Sequence, residues 1–132
     1  MPRTVLLHHM AAECGDHSDW LLAPDDAPYG PDERVLIAFR VAGRIDRIAA
    51  GGWFEAQRIA DHRWLYLTYE GEITRGRGRV ERVAAGIWTP GSIEDDAMSG
   101  RIEWEGRAPT RFAGRLIDAD RWRFQIDPPL CR

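Results

Sequence analysis

Three of the chain's four histidines fall within ten positions, in the segment LLHHMAAECGDHSDWLL. His17 and Asp19 lie two residues apart. If residues 17–22 form a strand, its period of two puts this imidazole and carboxylate on one face, where both can hold one ion. His9 lies one loop earlier and completes a facial set of two nitrogens and one oxygen. Such a set suits a divalent transition ion such as Mn²⁺, Fe²⁺ or Zn²⁺. Cys14 sits in the loop between, either as a soft fourth ligand that would favour zinc or as a spectator. Without an ion, the same residues read as polar groups beside a turn.

Two further groups could act on a phosphate. Asp61-His62 is followed by Trp64, Tyr66 and Tyr69-Glu70-Gly71. On a strand, the even spacing of His62 and Tyr66 would let them meet one substrate. Imidazole is a natural general acid, and a phenol can hydrogen-bond a phosphate. The alternative is an aromatic core strand with one polar edge. Downstream runs Thr74-Arg75-Gly76-Arg77-Gly78-Arg79, then Arg82. In extended form its arginines would make a basic stripe, with glycines that let a ligand's backbone approach. Planar guanidinium forks match phosphate geometry. The alternative is a solvated turn. The phosphate-cradling pattern GxxxxGK[ST] is absent.

These groups need a scaffold. Short segments of strand character cover residues 4–9, 17–22, 34–41, 63–70, 78–83, 102–105, 111–117 and 121–126. They are apolar with β-branched or aromatic residues, or alternate as in IEWE and RWRFQI. Residues 23–32 (APDDAPYGPD), Gly51-Gly52 and residues 90–100 read as breaks. Asp118-Ala119-Asp120 reads as a hairpin turn. The best helix candidate, residues 52–59, is short. About eight short strands with little helix predict an all-β domain, a small closed or partly open barrel.

Composition narrows the chemistry further. A chain of 132 residues suits a single domain spanning residues 1–132 and can bury a core without disulfide or metal staples. All 18 basic residues are Arg, so no lysine nucleophile, Schiff base or lysine adenylation is possible in this chain. The net charge of −3 argues against coating nucleic acid by bulk charge but leaves room for a local basic site. The two cysteines form no CxxC pair. With no apolar run of membrane-span length and no signal-peptide pattern, a cytoplasmic protein with reduced thiols is expected.

In order, these motifs resemble the 3′-phosphoesterase domain of bacterial DNA ligase D, which also occurs free-standing. That family carries a histidine, a His-x-Asp strand, then Asp-His-x-x-x-Tyr, Glu-Gly, a Gly-rich turn and Gly-x-Trp. Here stand His9, His17-Ser18-Asp19, Asp61-His62 with Tyr66, Glu70-Gly71, Gly76-Arg77-Gly78 and Gly86-Ile87-Trp88. The likeness covers roughly residues 5–126 and extends to closing strands from Met98 to Phe124. It implies a compact β-barrel that heals DNA 3′ ends with Mn²⁺, removing a 3′-phosphate or a terminal ribonucleotide. It implies His9, His17 and Asp19 as metal ligands, with His9 preferred to His8, and His62 and Tyr66 as the groups that engage the scissile phosphate.

The chain departs from the family where a phosphate-contacting Arg follows the Asp by two residues, since Leu21 stands there. Losing one charge-assisted hydrogen bond in a buried site costs roughly 1.5–3 kcal/mol. A second family Arg falls near Phe54. Arg58, four residues before His62 and of the same strand parity, is the candidate substitute, with Arg75 and Arg77 as others. The loop between His9 and His17 is two residues longer than is typical of the family.

The expected function is therefore a Mn²⁺-dependent phosphoesterase on nucleic-acid 3′ ends. It would be a monomer, away from membranes, acting beside a separate ligase or polymerase. Two alternatives share the barrel. One is a catalytically weak or inactive domain that binds nucleic-acid ends or a repair partner, and the other is a cupin-like small-molecule enzyme.

Overall fold

Residues 1–11, 15–73 and 76–128 are described by a computed structural model of the chain. Alternation of apolar and polar residues dominates it, and nine strands form among the described residues. They are β1 (Arg3–Ala11), β2 (Gly15–Leu22), β3 (Arg34–Val41), β4 (Trp53–Arg63), β5 (Gly71–Glu72), β6 (Arg79–Ile93), β7 (Ala97–Trp104), β8 (Thr110–Asp118) and β9 (Arg121–Ile126). All pairings are antiparallel. Eight strands close a ring in the order β1-β2-β3-β4-β9-β8-β7-β6, because β6 pairs back onto β1. The two-residue β5 adds to β6 outside that ring. The expected small barrel is thus present, with little helix. No helix is long and apolar enough to cross a membrane.

The strands carry two apolar layers. Inside the barrel, Trp20 packs on Phe39, Phe54, Phe112 and Phe124 with ring centroids 5.1–5.9 Å apart. Burying each such side chain contributes about 1.5–3 kcal/mol. The buried polar groups here are satisfied: Trp20 Nε1 donates to Thr4 Oγ1 at 3.0 Å, and Thr4 Oγ1 donates to the Leu21 carbonyl at 2.8 Å. The alternate residues of β1 to β3 point outward, yet Val5, Leu7, Leu21, Leu36 and Ala38 are also buried. Leu67, Tyr66, Tyr69 and Ile73 cover them as a roof.

Three expectations need correction. Residues 52–59 are not helical: Phe54 and Ala56 are buried and their neighbours exposed, a period of two that lets β4 bridge β3 and β9. The expected strand over residues 63–70 is not formed: Arg63 ends β4, and the rest leaves the sheet. Trp64–Leu67 is a 3₁₀ helix, started where Trp64 and Leu65 amides bond the Glu33 and Pro31 carbonyls. Its aromatic residues signal packing over the outer layer, not extension. The break at residues 90–100 shrinks to a hairpin turn, because β6 runs through Pro90 to Ile93 past a register irregularity and β7 begins at Ala97.

Candidate metal centre

β1 and β2 pair so that His9 lies directly opposite His17. Strand parity puts Leu7 and His9 of β1, and His17, Asp19 and Leu21 of β2, on the outer face. One ligand atom from each of His9, His17 and Asp19 lies within 4.8 Å of the others, as the sequence reading expected. His8 takes the other face and meets Asp16 at 3.4 Å. Cys14 falls outside the described residues.

Hydrogen bonds fix which atoms face the centre. His9 Nε2 sits 2.9 Å from the Arg77 carbonyl, which can only accept. The proton is therefore on Nε2, and Nδ1 presents its lone pair inward, 3.0 Å from His17 Nε2. A backbone carbonyl behind a histidine is the usual support of a metal ligand. Burial lowers the His17 pKa, with Arg40 and His9 adding to the effect and Asp19 opposing it, so neutral imidazole is favoured. Asp19 is 4% exposed, and its Oδ1 is, among the described residues, the buried side-chain atom that finds no hydrogen-bond partner. That oxygen lies 3.4 Å from His17 Nε2. A buried orphan oxygen costs free energy unless a cation satisfies it. Two inward-facing imidazoles and this oxygen fit a divalent transition ion.

Gly78 supports this arrangement. A Cβ there would lie 1.9 Å from the Met10 carbonyl, and its φ is +94°. The backbone that approaches this glycine is thus that of Met10, not of a ligand. Positive φ at Gly76 and Gly78 also replaces the expected extended basic stripe with a turn that presses the Arg77 carbonyl onto His9. Arg75 lies outside the described residues.

Beside the three ligands opens a cavity of about 500 Å³, bordered by His9, Asp19, His62, Tyr66 and Arg77. His62 and Tyr66 do meet, with ring centroids 6.0 Å apart, but not along one strand. A register irregularity in β4 and the 3₁₀ helix bring them together. The His62 Nδ1 proton goes to the Ala60 carbonyl at 2.9 Å, which aims Nε2 at Asp19 Oδ2, 3.8 Å away. Burial pushes the His62 pKa down, but Asp19 and the Ala60 carbonyl outweigh it and the net shift is upward. His62 therefore holds a proton more readily than a free imidazole.

Arg58 is not at this cavity. Between Ile59 and His62, β4 spends three residues against two in β3, which reverses the parity that would have aligned Arg58 with His62. Its guanidinium stacks 5.3 Å over Phe39 and pairs with Asp61 at 2.9 Å. Leu21 is fully buried in the outer apolar layer, so no cation occupies that place. Two arginines that sequence reasoning missed line the cavity instead, Arg34 and Arg63. Arg63 donates to Tyr66 Oη at 3.3 Å and to Asp32 at 3.2 Å. A signal for Arg34 was its position at the head of the most apolar strand, in step with Leu36 and Ala38 of the outer face. No protein-family model matches this chain, and no curated protein matches it either.

Proposed function

We propose that the chain is a Mn²⁺-dependent phosphoesterase acting on nucleic-acid 3′ ends. The observation that carries this reading is the convergence of His9, His17 and the buried orphan oxygen of Asp19 on one point, beside a cavity that also holds His62 and Tyr66. The order of motifs shared with the DNA ligase D phosphoesterase domain adds to it. His9, His17 and Asp19 would hold the ion, which when bound supplies Lewis-acid polarisation of a phosphoryl oxygen.

The chain's own residues divide the rest of the work. Tyr66 Oη, approached by Arg63, is left with its own proton to donate to a phosphate oxygen. His62, at the cavity wall with its pKa raised by Asp19 and the Ala60 carbonyl against burial, would be the proton donor. In hydrolysis a water oxygen bonds to phosphorus, the bond from phosphorus to the 3′ oxygen breaks, and His62 delivers its proton to that departing oxygen. A healed 3′-hydroxyl and inorganic phosphate result. A separate ligase or polymerase in the cytoplasm would use such an end. The buried Leu21 at the family's Arg position favours a second reading, a barrel that binds ends without chemistry.

The test uses a labelled primer–template ending in a 3′-phosphate, and another ending in one ribonucleotide. Each is incubated with Mn²⁺ and either the protein or His17→Ala. Conversion to a 3′-hydroxyl by the protein alone supports the enzyme and locates its site. Mn²⁺ binding without conversion of either end would leave the binding domain.

A further inference from the structure

We propose that Arg34, with Arg63 beside it, forms the anion clamp of this cavity and makes the site selective for a terminal phosphomonoester over a phosphodiester. This deepens the phosphoester reading of the same cavity and rests on it. Three observations carry it.

First, Arg34 and Arg63 occupy directly opposed positions on β3 and β4. Like charges directly across a strand pair destabilise it. Among the described residues, the exposed Asp32 pairs with Arg63, and no ion pair forms at Arg34. Second, the Arg34 guanidinium makes no hydrogen bond or ion pair with any described residue. Itself exposed, it lines the cavity. An arginine held against another cation, with its donors unspent, is arranged for an anion. Third, Arg34 and Arg63 line the cavity wall beside Asp19, and Arg63 is already paired with Asp32. The Arg34 fork is thus the one whose donors face an added anion. A terminal phosphate carries about −1.5 to −2 at pH 7. A diester carries a single negative charge on two free oxygens, and so offers the Arg34 fork less than the three oxygens of a terminal phosphate.

The geometry also accounts for Leu21. The outer apolar layer under the roof takes that position, so the phosphate cation has to come from another strand. Arg34 at the head of β3 supplies it, from the side of the cavity that His62 borders.

The experiment is fluorescence anisotropy without divalent ions, which reads binding and not turnover. Two labelled oligonucleotides of one sequence are used, ending in a 3′-phosphate or a 3′-hydroxyl. The protein should bind the 3′-phosphate end about tenfold more tightly or better. Arg34→Gln should remove most of that preference and leave affinity for the 3′-hydroxyl oligonucleotide unchanged. Arg34→Lys, which keeps the charge but loses the fork, should fall between. Arg115→Gln, an equal loss of charge on the exposed face of β8 across the barrel, should behave as the native chain. Inorganic phosphate and a nucleoside 3′-monophosphate, added as competitors, tell free phosphate from a nucleic-acid end as the source. A preference that survives Arg34→Gln, or a native chain with none, overturns the proposal. Mn²⁺ titration of the same samples reads the other reading separately. A native chain that binds no Mn²⁺ but keeps an Arg34-dependent preference sinks the phosphoesterase while the clamp stands.

Discussion

Asp19→Asn should make the metal-free protein more stable and the metal-loaded protein less so. Asp19 keeps a buried oxygen without a partner, and its nearest cations-in-waiting are two imidazoles at 3.4 Å and 3.8 Å. An amide at constant shape removes the buried charge and can donate to the inward Nε2 of His17, which relieves about 1–3 kcal/mol, the usual penalty of an unsatisfied buried group. For a domain of this size, 1 kcal/mol corresponds to roughly 3–5 °C in Tm. An ion at a hundredfold excess over its Kd stabilises the native chain by about 2.7 kcal/mol, or roughly 10 °C. The asparagine chain loses an anionic ligand and should gain little from the ion. Thermal melts of both proteins, with and without Mn²⁺, should therefore cross: the variant melts higher in chelator and lower in Mn²⁺. A variant that melts lower in chelator, or gains as much from Mn²⁺ as the native chain, refutes the assignment of Asp19.

Other perturbations probe the supports of the site. Gly78→Ala forces a Cβ onto the Met10 carbonyl at positive φ. It should cost more than about 1–2 kcal/mol and weaken Mn²⁺ affinity through the displaced Arg77 carbonyl, as read by urea melts and metal titration; unchanged affinity would detach the turn from the ligand set. Leu21→Ala should cost about 2–5 kcal/mol, because Leu21 is fully buried, and a urea melt showing less than 1 kcal/mol would mean the roof does not pack as described. Asp46 tests the pH dependence of stability. Burial works against its ionisation, but bidentate pairing with Arg44 and the nearby Arg107 prevail and hold its pKa below the ordinary 3.8. A depressed folded-state pKa gives stability that is present above 3.8 and lost as pH falls through the folded value. Asp46→Asn should thus destabilise the chain at pH 7 by about 1–3 kcal/mol, with the gap closing in acid; an equal gap at both pH values would contradict this.

The sequence made some of this legible and hid the rest for physical reasons. His17-Ser18-Asp19 was readable because strand parity is local: two residues on one strand share a face wherever the strand goes. His9 followed because a short connection between strands forces antiparallel pairing. The barrel was readable from alternation in segments such as RWRFQI. What failed depends on distant pairing. Arg58 and His62 have matching parity on paper, but one extra residue in β4 reverses it, and nothing within residues 58–62 announces the irregularity. Residues 63–70 have the composition of a strand, yet their amides bond a neighbouring loop and the aromatic rings turn down as a roof. Arg34 escaped notice because its partner across the sheet was itself misread.

The placement of the centre on the outer face explains why both kinds of error fell in the same region. A closed barrel fills its interior with aromatic side chains and leaves no room there for water or a charged ligand. A site must then be built outside, where a strand face is ordinarily wet and its charges are weak. The roof of Tyr66, Leu67, Tyr69 and Ile73 changes that, by burying Val5, Leu7, Leu21, Leu36 and Ala38 on the outer faces of β1 to β3. Asp19 is desolvated by this second layer. Its neighbours His62 and Tyr66 belong to the segment that climbs from β4 into the roof, and Arg77 belongs to the turn that descends from it. Covering the sheet and assembling the cavity are therefore one structural event. A change that loosens the roof, such as Leu67→Ala, should lower Mn²⁺ affinity without touching any ligand, whereas a comparable loss inside the barrel at Phe112 should lower stability and leave the affinity of the folded protein unchanged. Metal titration under native conditions, set beside urea melts, separates the two. Equal effects of both substitutions on affinity would show that the roof does not govern the centre.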